Sequence, residues 1–216
     1  LFIAKSLNNS LNLSFSILFI ILQICYAFLK EYVMETKKRL FIGTFLKTDK
    51  LIENYPRVKS DFAGIVEGKW VEDWNLHFTY HFLGEVDSTN AEKLLADLKP
   101  ITVEYHNPLV LRGLGCFPNA NFPRVLFVEI FDSQNILQEI HRNCKSLLEK
   151  YNFQLDTRQF HPHLTLLRIK QARRREFREK IQKYEKEDFG QVDRFSVHLI
   201  ESKLTPKGPI YQILSK

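Results

Sequence analysis

Two copies of one short pattern, His-x-Thr inside an apolar run, set the terms for any fold this chain adopts. The first is Leu76-His77-Phe78-Thr79-Tyr80-His81-Phe82-Leu83. The second is Phe160-His161-Pro162-His163-Leu164-Thr165-Leu166-Leu167-Arg168, with His163 lying 86 residues after His77. Each run reads as a β-strand, in which residues two apart share a face. His77 then projects beside Thr79, and His163 beside Thr165, while Leu164 and Leu166 turn toward a core. A single pattern this short arises readily by chance; two copies on strand-like runs are a far stronger signal. Arg168 is an odd number of residues from His163 and Thr165, so a regular strand would send it to the opposite face. It joins the same site only if the strand bends or ends there, or if its long side chain reaches around.

The surroundings repeat as well. Arg39–Leu46 reads as an apolar and aromatic strand. Residues 49–66 read as partly helical, interrupted by Pro56. Thr89-Asn90-Ala91-Glu92 has capping-box form and opens a short helix ending near Pro100. Residues 101–111 read as extended, and 113–123, heavy in Gly, Pro and Asn, as a loop. In the second half Arg124–Phe131 is a strand. A helix over 133–150 follows, with Ile136, Leu137, Ile140, Cys144, Leu147, Leu148 and Tyr151 as its buried stripe. The second motif strand, a charged helix over 171–187, a strand over 194–203 and a final strand at 211–214 complete the chain. Each half, about 39–112 and 124–214, thus runs strand, helix, motif strand, helix, strand. The expected fold is α+β and bilobal. Two lobes of antiparallel sheet plus helices, related by an approximate two-fold axis, would bring the motif strands to a central cleft.

Residues 11–29 form a 19-residue run without charge, close to the length of a membrane-spanning helix. Lys5 and Lys30 flank it, and no A-x-A cleavage site follows. An anchor, a signal peptide and translated sequence upstream of the true start all fit residues 1–33. Met34-Glu35-Thr36-Lys37-Lys38-Arg39, leading straight into a strand, favours the last, and function is sought in residues 34–216. Cys25, Cys116 and Cys144 are scattered and odd in number, without a CxxC. That argues against a disulfide framework or a zinc site and for a reducing compartment. A net charge of +6 favours a polyanionic partner on the scale of short RNA or nucleotide ends.

Two histidines facing across a cleft suit phosphodiester chemistry that needs no metal. One imidazole takes a proton from the attacking oxygen, the other protonates the departing one, and both jobs favour a pKa near neutrality. The threonine hydroxyls can hydrogen-bond the non-bridging phosphoryl oxygens. Other residues carry plainer readings. His81 lies on the His77 face if the strand is regular, as a substrate contact or as strand-end structure. His161 makes an H-x-H pair with His163 but has no third ligand near it in sequence. His106, His141 and His198 read as ordinary surface, helix or strand residues. Arg173-Arg174-Arg175 is interspersed with glutamates and reads as a solvated helix face. Phe117, Phe122 and Phe160 are core residues or stacking partners for an unpaired base. Ser202 lacks the context of a nucleophile.

The chain resembles the 2H phosphoesterase superfamily, and within it the RNA 2′,3′-cyclic phosphodiesterase family, also called 2′-5′ RNA ligase. The matching pieces are Arg39-Leu40-Phe41-Ile42, His77-Phe78-Thr79-Tyr80 with Phe82-Leu83-Gly84-Glu85-Val86, and Gly115-Cys116-Phe117-Pro118 with Pro123-Arg124-Val125-Leu126. They continue with Pro162-His163-Leu164-Thr165-Leu166 and Arg168, then Glu201-Ser202-Lys203-Leu204 and Gly208-Pro209-Ile210-Tyr211. Residues 1–33 have no counterpart, and Tyr80 stands where an aliphatic residue is usual. The resemblance implies that His77 is the proton donor and His163 the proton acceptor that activates water. It implies that Thr79, Thr165 and Arg168 hold the phosphate. The implied reaction opens a terminal 2′,3′-cyclic phosphate to a 2′-phosphomonoester, or in reverse forms a 2′-5′ bond. The opposite assignment of the histidines is chemically sound, and a related substrate or a non-catalytic RNA-end binder remains an alternative. The expected partner is an RNA or oligonucleotide with a cyclic phosphate end. No metal, cofactor, membrane or second protomer is expected, and the expected location is the cytoplasm.

Overall fold

The first strand shows how the sequence builds the fold. In Lys38–Phe45 (β1) the core side carries Leu40, Ile42 and Thr44, all buried, while Phe41 and Phe45 lie on the other face. The computed structural model describes residues 37–206 and 208–215. The apolar run at 11–29, Cys25 and the boundary drawn at Met34 lie outside them. After β1 come α1 (Asp49–Asp61), β2 (Val66–Trp70), β3 (His77–Val86), α2 (Ser88–Leu98), β4 (Glu104–Tyr105) and β5 (Leu109–Phe117). Then follow β6 (Val125–Phe131), α3 (Ile136–Leu148), β7 (His163–Ala172), α4 (Arg174–Lys183), β8 (Asp188–Val192), β9 (Phe195–Ser196), β10 (His198–Thr205) and β11 (Gly208–Ile213). Among the described residues no helix is long and apolar enough to cross a membrane.

Two antiparallel sheets carry the architecture, ordered β11-β10-β1-β3 and β8-β5-β6-β7-β2, with a small β4-β9 pair beside them. Read from the outer strand inward the orders correspond, so β1 matches β6 and β3 matches β7; β2 is an added edge. The two lobes are therefore duplicated as expected, but they are not the sequence halves. β2 and β5, from the first half, lie in the second sheet, and β10 and β11, from the second half, lie in the first. Helices cross over too: α3 packs on β3, and α1 lies against β8. Local periodicity reports which face of a strand is apolar and carries no information about which distant strand it joins, so the exchange is invisible in the pattern.

Several elements depart from the expected boundaries. The helix α1 runs unbroken through Pro56, capped by the Thr48 hydroxyl, which accepts from the Leu51 amide at 3.0 Å. A proline inside a helix costs about 3 kcal/mol, and here it stands on the exposed side while Leu51, Tyr55 and Val58 anchor the other. The stretch 113–117 is strand, not loop: Gly113, at φ +77°, sits in the irregularity between Leu111 and Leu114 and lets β5 continue. In α2 the cap is Asp87, accepting from the Asn90 amide at 2.7 Å, two residues ahead of the expected capping box. The charged helix is shorter than the expected 171–187, because β7 runs on to Ala172 and the chain turns at 184–186, before Asp188–Val192 pairs with β5.

Candidate active site

The two motif strands carry the same irregularity at the same place. Between β1 and β3 the register slips between Ile42, opposite His81, and Gly43, opposite Thr79. Between β6 and β7 it slips between Leu126, opposite Leu167, and Phe127, opposite Thr165. In each strand the residue after the threonine, Tyr80 or Leu166, is a β-bulge. A bulge adds a residue and reverses the facing of everything beyond it. Burial follows: Leu164, Leu166, Leu167 and Ile169 are buried, while His163, Thr165 and Arg168 are not. The bulge thus turns Arg168 to the face of His163 and Thr165, which answers the parity objection. In β3 it does the reverse to His81, which is 4 % exposed and faces the core. His81 is therefore not on the His77 face; Phe82, in the place corresponding to Arg168, is.

Both motif histidines are held alike. The Nδ1 of His77 lies 2.6 Å from the Asn75 carbonyl, and that of His163 lies 2.7 Å from the His161 carbonyl. A carbonyl only accepts, so Nδ1 carries the proton and Nε2 is left for the cleft. β3 and β7 lie against each other, and His163 and Arg168 both act electrostatically on His77. Burial holds the proton affinity of each imidazole below its ordinary value, partly offset by the carbonyl; for His77 the charges of Arg168 and His163 push further the same way. Around His163 the His161 and Arg168 charges lower it and Glu129 raises it.

Aromatic rings wall both sides. Tyr211 meets His77 edge-on at 4.8 Å and Phe41 at 5.2 Å, and Phe41 lies 5.1 Å from His77. On the other sheet Phe117 meets His163 edge-on at 4.9 Å, with Phe127 at 5.0 Å. Of the three phenylalanines singled out in sequence, Phe117 borders the site directly. Phe122 is exposed beneath the Arg174 guanidinium at 4.4 Å, and Phe160 stacks on His141 at 4.4 Å. His141 in turn stacks on His81 at 4.2 Å and accepts from its Nε2 through the main-chain carbonyl, so it is part of an interior ladder and not an ordinary helix residue. In the arginine run, Arg175 pairs with Glu179 at 3.0 Å, as a solvated helix face would. Among the described residues no three His, Cys, Asp or Glu side chains converge as a metal site.

Tyr211, Asn75 and Glu129 are site residues that the sequence reading passed over. Asn75 is buried, and its amide donates to the Pro209 carbonyl at 3.0 Å, tying β11 to the strand start at His77. Glu129 left a legible trace: it is the single charge in the apolar strand Val125–Phe131.

A duplicated pair of sheets with a His-x-Thr strand on each defines the 2H phosphoesterase class. The profile of the family described as the AKAP7 2′5′ RNA ligase-like domain matches residues 26–216, and the chain belongs to that family of 2H phosphoesterases. The match begins ahead of the boundary drawn at residue 33. The chain is 32% identical over 181 residues to an RNA 2′,3′-cyclic phosphodiesterase of Aquifex aeolicus, covering 82% of this chain and 95% of the relative. With the protein of the same name from Methanocaldococcus jannaschii it shares 34% over 152 residues, 68% of this chain and 83% of the relative. Among solved structures, E. coli LigT complexed with 3′-AMP is similar at a TM-score of 0.63 and 22% identity, over 83% of this chain and 97% of that one. The chain is accordingly an enzyme of the phosphodiester-hydrolysing class.

Proposed function

We propose that the enzyme hydrolyses the terminal 2′,3′-cyclic phosphate of RNA to a 2′-phosphomonoester, by proton transfer between two histidines and without a metal. One observation carries the reading: each motif imidazole is fixed through Nδ1–H by a main-chain carbonyl two residues earlier, so that two Nε2 atoms serve the cleft. Water loses a proton to Nε2 of His163 and attacks phosphorus; the bond to the 3′ oxygen breaks, and that oxygen takes a proton from Nε2 of His77. The Thr79 and Thr165 hydroxyls donate to the non-bridging oxygens, and Arg168 balances their charge as the transition state forms.

The electrostatics support this division of roles. A protonated His77 is disfavoured by burial and by Arg168 and His163, so it gives up its proton readily. His163 has the Glu129 carboxylate beside it, which favours the charge an acceptor gains. The anionic phosphate, when bound, favours the protonated form of the donor. With a 5′-hydroxyl in place of water the same steps form a 2′-5′ bond, and hydrolysis dominates in water. A second reading, a small nucleotide as substrate, draws on the 3′-AMP complex of the similarly folded LigT.

The test is an RNA oligonucleotide ending in 2′,3′-cyclic phosphate, incubated with the enzyme in EDTA, the product being assigned as 2′- or 3′-phosphate. The expected product is the 2′-phosphate, absent with His77→Ala and with His163→Ala. A 3′-phosphate product, or turnover that needs an added metal, would overturn the proposal. Turnover of a cyclic mononucleotide but not of the oligonucleotide would favour the second reading.

A further inference from the structure

The two motif histidines are held by the same kind of bond, but what anchors the holder differs. Asn75, which holds His77, is fixed by a neutral amide on Pro209. His161, which holds His163, is fixed by its own ring: Nε2–H donates to Oε2 of Glu129 at 2.7 Å. Glu129 stands directly opposite His163 in the β6–β7 register, so its carboxylate belongs to the cleft face. It is seated over a glycine, since a Cβ at Gly115 would stand 2.6 Å from Oε1 of Glu129.

We infer that His161 and Glu129 are positioning residues for His163: the ring of His161, anchored on Glu129, fixes the carbonyl that orients His163, and the charge of the pair sets how readily its Nε2 takes a proton. A bare carboxylate here would repel an anionic phosphate, and the N–H of His161 offsets that charge. The groups that face His163 are His161 ahead of it, Thr165 and Arg168 on its own strand, Glu129 and Phe127 from β6, Phe117 from β5 and His77 from β3. Glu129 is the one carboxylate among them. Asn75 offers His77 no such control, so the pair acts on His163 directly and reaches His77 only through it. The inference rests on His163 being one of the proton-transfer groups.

The test is a titration of the His163 and His77 imidazoles by NMR in the full chain, alongside the pH dependence of kcat. His161→Asn removes the ring that lowers the His163 proton affinity and leaves the carboxylate that raises it, so the His163 midpoint should rise; adding Glu129→Gln should bring it down again. Each step is expected to change its proton affinity by about threefold or more, with a smaller shift at His77, which feels the change only through His163, and an unaltered far-UV circular dichroism spectrum as the check on the fold. Should His161→Asn unfold, His161→Gln serves in its place. The acidic limb of kcat should move with the His163 midpoint. Midpoints that match the unaltered protein in both variants would overturn the inference. A His163 midpoint that moves while the kcat profile stays put would uphold the tuning and overturn the role of His163 as acceptor.

Discussion

Tyr55→Phe probes how the helix α1 reaches the active site. Tyr55 is buried, and its hydroxyl lies 2.6 Å from the Val71 carbonyl and 3.0 Å from that of Leu166. Leu166 is the bulged residue that turns Arg168 into the cleft, so the tyrosine pins the feature on which the arginine depends. The Leu166 carbonyl also accepts from the Val71 amide at 2.8 Å, and it keeps that partner in the variant. What is lost is the single hydroxyl donor, whose shorter contact is to the part-buried Val71 carbonyl. A net bond contributes about 1 kcal/mol, and the half-buried Val71 carbonyl left without this donor adds to the loss, for about 1–2 kcal/mol in all. For a domain of this size that lowers Tm by about 3–6 °C. The assay is thermal unfolding paired with kcat/KM on a cyclic-phosphate RNA. Activity should fall severalfold at temperatures where the variant is folded, because Arg168 loses its fixed setting. A variant with unaltered stability and unaltered kcat/KM would refute the claim that Tyr55 holds the bulge.

Gly115→Ala should destabilise the cleft floor by about 1–3 kcal/mol, since the added Cβ would stand 2.4 Å from Cε2 of Phe127; chemical unfolding reads it. Thr165→Val, which keeps the shape and removes the hydroxyl, should lower kcat by about a hundredfold or more with little change in Tm. Burial pushes His141 down to about 4, and His81 moves the same way. Below the unfolded value of 6.5 the unfolded chain binds a proton that the folded one excludes. Stability is therefore complete above that pH and is lost as pH falls toward about 4. His141→Gln should show a smaller drop in Tm across that window than the unaltered protein.

Much of the site was legible because strand parity is local. His77 with Thr79, and His163 with Thr165, share a face in any strand, and the buried stripe of α3 was read nearly as it stands. The bulges were not legible, because they arise from register against β1 and β6. The slip in β7 turned Arg168 to the site face, and the slip in β3 turned His81 away from it. Gly113 and Gly115 read as loop punctuation; in the fold one serves an irregularity within a strand and the other a close approach to Phe127. The strand exchange between halves depends on which distant edge buries β5 and β10, and no window of sequence contains that choice. Glu129 could have been found as a lone charge in an apolar strand, but its meaning needed His161 beside it.

The division of labour between the two histidines is the central claim, and a substrate with a sulfur in place of the bridging 3′ oxygen tests it most directly. A thiolate departs without needing a proton, so the donor becomes dispensable while the acceptor does not. With this 3′-thio cyclic phosphate, His77→Ala should regain most of the unaltered enzyme's rate and His163→Ala should stay inactive. Recovery by His163→Ala and none by His77→Ala would contradict the assignment.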